Sequence, residues 1–136
     1  QKLIIAIDGQ DSYPKTDAKT FLLFLPENEL HELGLLFYSY IIKKAGHKVI
    51  YLGQSVPLND ILEVIKIRNA DYIITYFVAA LDPSEIPGYL LKISERFNNK
   101  DIFIAGYQVS MISEQLPSNI KPLQDAEEFK SYLNRI

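Results

Sequence analysis

Short apolar runs alternate along the chain with longer segments whose apolar residues recur every three or four positions, a pattern that predicts βα units around a parallel sheet. Thr20 to Leu25 (TFLLFL) reads as a buried strand stopped by Pro26. Leu30 to Ala45 reads as a helix with Leu33, Leu36, Phe37, Tyr40 and Ile41 on one face and Gly46 as its stop. Lys48 to Leu52 is a second strand with Gly53 as its turn, and Leu58 to Arg68, introduced by Pro57, repeats the helical spacing through Ile61, Leu62 and Ile65. Tyr72 to Phe77 is a third strand. A helix over Ser84 to Phe97 tolerates Pro87 in its first turn, where a missing amide donor costs little. Ile102 to Ala105 gives the fourth strand, ended by Gly106, and a short helix is expected over Gln108 to Leu116. Ile120 to Leu123, broken by Pro122, reads as an edge strand, and Asp125 caps a last helix to Leu133. The expected fold class is α/β, a doubly wound five-stranded parallel sheet.

Residues 1–19 stand outside that alternation. Leu3 to Ile7 (LIIAI) could form a strand, but Asp8, Gly9 and the polar run to Lys19 favour the end of a preceding helical domain followed by a linker. Residues 20–136 then form one domain, the number of cores that 136 residues suit. A net charge of -3 lacks the basic surplus that a phosphate-binding face needs, so any DNA contact would come from a separate N-terminal domain. No apolar run approaches the ~18 residues that cross a bilayer, so no membrane partner is expected. With no cysteine there is no disulfide framework or thiolate metal site, and no signal peptide opens the chain, so a cytoplasmic location is expected.

In an open sheet of this kind ligands sit beyond the carboxyl ends of the strands. After the first strand come Glu27, Glu29, His31 and Glu32; after the third, the mostly small and apolar Tyr76 to Ala80; after the fourth, Gly106 and Tyr107. No GxGxxG follows a strand and no GxxxxGK[ST] is present, so the backbone cradles of dinucleotide and P-loop sites are missing. A phosphorylatable aspartate is also missing from the end of the third strand, where Tyr76 and Phe77 stand. No nucleophile with its base is evident, so the chain is not expected to be an enzyme. Glu29 and Glu32 read as acids favoured in a first helical turn, His47 as a solvated turn residue, and Tyr38, Tyr40, Tyr51 and Tyr72 as packing.

Glu29-x-His31-x-x-Gly34 resembles the Asp-x-His-x-x-Gly motif that cobalamin-binding domains carry after their first strand, in the glutamate form of the MerR-type light-sensing repressors. The resemblance extends through Gly46-His47-Lys48-Val49, Leu52-Gly53, Val56-Pro57 and Ala70-Asp71, and so spans roughly Phe21 to the C-terminus. It implies a flavodoxin-like three-layer sandwich that binds cobalamin, with His31 ligating cobalt in place of the cofactor's own benzimidazole. Glu29 would then accept from the other ring nitrogen, and Gly34 would let the helix start lie against the corrin or its nucleotide tail. Leu30, Gly53, Tyr76, Val78, Gly106 and Tyr107 stand at the remaining cofactor-facing positions.

The chain departs from the family in two places. Its Ser-x-Leu after the third strand is replaced by Tyr76 and Val78, and its second glycine after the fourth by Tyr107. Each places a phenol where the family keeps space for the inserted tail. If both rings fill that space, they should pack behind His31 and leave no deep channel. Three readings follow: a ligand-sensing domain of a MerR-type regulator acting on a neighbouring domain or its own copy in a homo-oligomer; a degenerate interaction module with a filled pocket; and a corrinoid carrier of a methyltransferase or mutase.

Overall fold

The computed structural model describes residues 14–112 and 115–136. Of the expected helix end and linker, residues 1–13 lie outside the described residues. Five strands and four helices follow in order: β1 Thr20–Pro26, α1 Leu33–Lys44, β2 Lys48–Val56, α2 Leu58–Ile67, β3 Tyr72–Tyr76, α3 Ile86–Arg96, β4 Asp101–Ala105, β5 Ile120–Pro122 and α4 Ala126–Leu133. All pairings are parallel and the strand order is β2-β1-β3-β4-β5. The chain runs outward from β1 to β2 and then returns to the other side of β1, so the connections diverge between β1 and β3.

Strand side chains alternate between two cores. Leu22, Phe24, Ile73, Ile102 and Ile104 join Ile61 of α2 and Leu90 and Ile93 of α3 on one face. Phe21, Leu23, Leu25, Ile74 and Phe103 join Leu35, Tyr38 and Ile42 of α1 and Phe129 and Leu133 of α4 on the other. That double burial is why β1 is almost continuously apolar. Among the described residues, no helix is long and apolar enough to cross a membrane.

Of the boundaries that differ from the sequence reading, four bear on the site. Helix α1 begins at Leu33, leaving Leu30 and His31 in a loop, because Glu32 at its N-cap turns its carboxylate to Tyr51 Oη (2.9 Å) and Gln54 Nε2 (2.9 Å). Gly53 is not a turn: β2 continues to Val56, and Gly53 (φ 82) sits at a register shift against β1. β3 ends at Tyr76, before Phe77. The helix expected from Gln108 is a 3₁₀ turn over Tyr107–Met111, which the chain leaves in an extended conformation at Ile112. The Asp125 cap is as expected, its side chain accepting from Glu128 N–H (2.9 Å).

Residues 15–19 strap the amino edge of the sheet. Lys15 N–H donates to Gly46 O (2.9 Å), Lys48 N–H to Lys19 O (2.9 Å) and Lys19 N–H to His47 Nδ1 (3.0 Å). His47 is therefore buried at 2% exposure beside Phe21, not solvated. With Nδ1 accepting, Nε2 carries the proton of the neutral ring, and Nε2 is buried with no hydrogen-bond partner. Burial and Lys15 lower the pKa of His47, Asp17 opposes them, and Lys19 lowers it further.

Candidate functional site

At the carboxyl edge, the β1 loop folds onto the end of β2. Asn28 (φ 72) and Ser55 (φ 50) both take left-handed backbone, and Asn28 N–H donates to Ser55 Oγ (3.0 Å) while Ser55 N–H donates to Glu29 O (3.2 Å). Such conformations cost about 1–3 kcal/mol each and persist only where surrounding contacts enforce them.

The turn drives Glu29 inward to 1% exposure. Its Oε1 accepts from three backbone amides of the loop after β3: Val78 (2.6 Å), Ala79 (2.9 Å) and Ala80 (3.2 Å). Its Oε2 accepts from His31 Nδ1 at 2.8 Å. Burial pushes the carboxyl upward, but the His31 bond and the three amides outweigh it and bring the pKa down to about 2. Glu29 is thus not an acid at a helix start; it is a buried anion that ties the first loop to the third. Because a carboxylate only accepts, Nδ1 must donate, so the neutral ring carries its lone pair on Nε2. The His31 side chain is 65% exposed. A neutral imidazole, oriented by a carboxylate and open to solvent, can ligate a metal that arrives from outside the sheet.

Beside it lies a cleft of about 490 Å³ bounded by Gly34 and Tyr38 of α1, Tyr76 at the end of β3, Gly106 and Tyr107 beyond β4, and Leu123 to Ala126 at the start of α4. Tyr76 lies on Gly34 so closely that a Cβ there would be 2.4 Å from the phenol Cζ. Tyr107 behaves differently and is 70% exposed. One ring therefore packs inward while the other stands at the rim, and a cleft remains, which differs from the arrangement of two inward rings and no channel that filling by both would give. Gly106 (φ 105) is fixed by crowding, since a Cβ would be 2.2 Å from Phe77 O. Tyr38 is pushed up to about 12 by burial first, then by Tyr76, Asp125 and Glu128.

The structure brings Glu29, His31 and Val78 into direct contact and lines one cleft with Gly34, Tyr76, Gly106 and Tyr107. Leu30 is an exposed apolar side chain beside them, and Gly53 stands against the Glu32 carboxylate instead of in the cleft. Sequence reasoning missed Glu32 as the bridge to β2, and Asp125 on the cleft wall. The Asp125 cap was a local signal, but nothing local marked its second surface.

No protein-family model and no curated protein matches the sequence. Among solved structures the chain is similar to a novel cobalamin-binding protein from Desulfitobacterium hafniense DCB-2, with TM-score 0.65 and 20% identity, covering 88% of this chain and 59% of that one. The shared fold is flavodoxin-like. The monomethylamine corrinoid protein of Methanosarcina barkeri matches with TM-score 0.68 and 16% identity, over 98% of this chain and 64% of that one. The methanol:cobalamin methyltransferase complex MtaBC of the same organism matches with TM-score 0.67 and 16% identity, over 94% of this chain and 49% of that one. The chain thus spans less than two thirds of each neighbour.

Proposed function

We propose that this chain binds a corrinoid of the cobalamin class at the carboxyl edge of its sheet, with His31 Nε2 as the lower cobalt ligand, and serves as the ligand-sensing domain of a MerR-type regulator. The observation that carries the reading is the Glu29–His31 pair: a 2.8 Å bond from Nδ1 to a buried carboxylate on a ring otherwise open to solvent. That donor set suits cobalt held in a corrin, which needs one neutral nitrogen from the protein. Among the described residues no group of three or more His, Asp or Glu side chains could hold a bare metal ion. A corrinoid held there would supply the ligand-exchange chemistry of its cobalt. The protein's part is to fix the tautomer of His31 through Glu29 and to present the apolar rim of Leu30 and Leu33, 60% and 54% exposed, to a flat macrocycle.

The glutamate form of the motif supports the regulatory assignment. DNA contact would belong to a separate domain, and signalling would run through neighbouring domains or a homo-oligomer. A carrier domain of a methyltransferase is the second reading, favoured by the descriptions of the two Methanosarcina neighbours. In either role the chain has no turnover of its own.

A spectrophotometric titration with hydroxocobalamin and adenosylcobalamin tests the reading. Binding with a histidine-ligated spectrum that His31→Ala abolishes is expected, with an affinity loss of ~10-fold to 100-fold for Glu29→Ala. Spectra and affinity unchanged in His31→Ala would remove the ligand assignment.

A further inference from the structure

Corrinoids differ below the ring: a cobalamin carries a benzimidazole base on a ribose and a phosphodiester, whereas a cobinamide ends before the nucleotide. A histidine that takes the lower face of cobalt replaces the cobalt–benzimidazole bond with its own, and the displaced tail then costs affinity unless the protein offers it a favourable place. Two features of the cleft beside His31 oppose this. Its inner wall is closed at the helix start, where the Tyr76 phenol lies on the bare Cα of Gly34. At the far side Gly106 lies so close to the Phe77 backbone that no side chain fits between them. Among the described residues its lining also contains no Lys, Arg or His, while Asp125 stands on it. The acidic character is felt within the cleft, where Asp125 and Glu128 add to burial in raising Tyr38. A phosphodiester would therefore meet the Asp125 carboxylate with no cation among the described lining residues to pair with.

We infer that Tyr76 is a specificity-determining residue that fills the helix-start end of the cleft, so that the chain prefers corrinoids lacking the nucleotide over intact cobalamins. The inference rests on the corrinoid reading above and names the ligand class that this site takes. It also gives Gly34 a specific role: the missing side chain seats a phenol of the protein itself.

Parallel titrations of the full chain with diaquocobinamide and hydroxocobalamin, followed by visible spectra, test it. The wild type should bind cobinamide at least as tightly as cobalamin. Tyr76→Ser should strengthen cobalamin binding by ~10-fold and leave cobinamide within ~3-fold, while Tyr76→Phe, which keeps the ring, should retain the wild-type order. Should the serine variant not fold, the wild-type pair of affinities decides alone. Wild-type binding of cobalamin ~10-fold tighter than cobinamide would overturn the specificity and leave the corrinoid reading standing. Binding of neither would overturn both.

Discussion

Glu29 shows how one side chain sets the chemistry of another. The amides of Val78, Ala79 and Ala80 require an acceptor on their side of the group, so Glu29→Gln should keep its oxygen there and turn its NH₂ toward His31. That reverses the imidazole: Nδ1 must accept and Nε2 carries the proton, leaving no lone pair for a metal. Ring ¹⁵N shifts of the cofactor-free protein should report a protonated Nδ1 in the wild type and a protonated Nε2 in the variant; the same tautomer in both would contradict the argument. The depressed carboxyl has a pH consequence as well. Its folded pKa of about 2 lies below the ordinary 4.5, so its stabilisation is complete above 4.5 and is lost as pH falls toward 2. The size is about 3 kcal/mol. His47, lowered from 6.5, removes stability in the same direction, beginning as pH drops below 6.5. Urea denaturation should therefore show stability falling in two acid steps, the lower one absent from Glu29→Gln. At this scale the His31 motif was legible because it is local. The amide partners of Glu29 stand about fifty residues away, and the Lys19 amide that buries His47 lies 28 positions upstream, so neither left a signature near its residue.

The elements were legible where burial and local propensity agree. β1, buried on both faces, and α4, capped by Asp125, lie where their patterns placed them. Boundaries moved where a distant contact overrode the local signal. Gly53 looks like a turn residue, yet it serves a bulge that carries β2 past it to meet Asn28 and Glu29. The run from Gln108 failed as a helix: Gln108 Nε2 is drawn to Leu81 O (2.7 Å) and its own N–H to Phe77 O (3.2 Å), which holds the segment against the β3 loop. Two glycines separate a required from a permissive position. Gly106→Ala combines φ 105 with a Cβ 2.2 Å from Phe77 O, whereas Gly88 in α3 has nothing within 4 Å of an added Cβ. Gly106→Ala should destabilise by roughly 3 kcal/mol or more. Gly88→Ala should stabilise by about 0.5–1 kcal/mol. Denaturation midpoints check both, and a Gly106→Ala midpoint near wild type would show that the close approach is not enforced.

For the whole molecule, the parallel topology makes the site possible: β1 and β3 lie side by side with connections that diverge, so the His31 loop, the Val78–Ala80 amides and the Gly34 helix start meet at one edge. The fold and this meeting point followed from the alternating pattern and from the rule for ligand sites in open sheets. What did not follow was the fate of the two tyrosines, since sequence fixes their strand ends but not whether a ring packs inward or stands at a rim. The proposed function stands on a nitrogen of His31 bound to cobalt. Electron paramagnetic resonance of bound cob(II)alamin, with protein carrying ¹⁵N only in histidine, reads it directly. The superhyperfine triplet of a ¹⁴N ligand should become a doublet in labelled wild-type protein and be absent as a doublet in His31→Ala. A triplet unchanged by the label would mean that cobalt keeps its own base, and would contradict the claim.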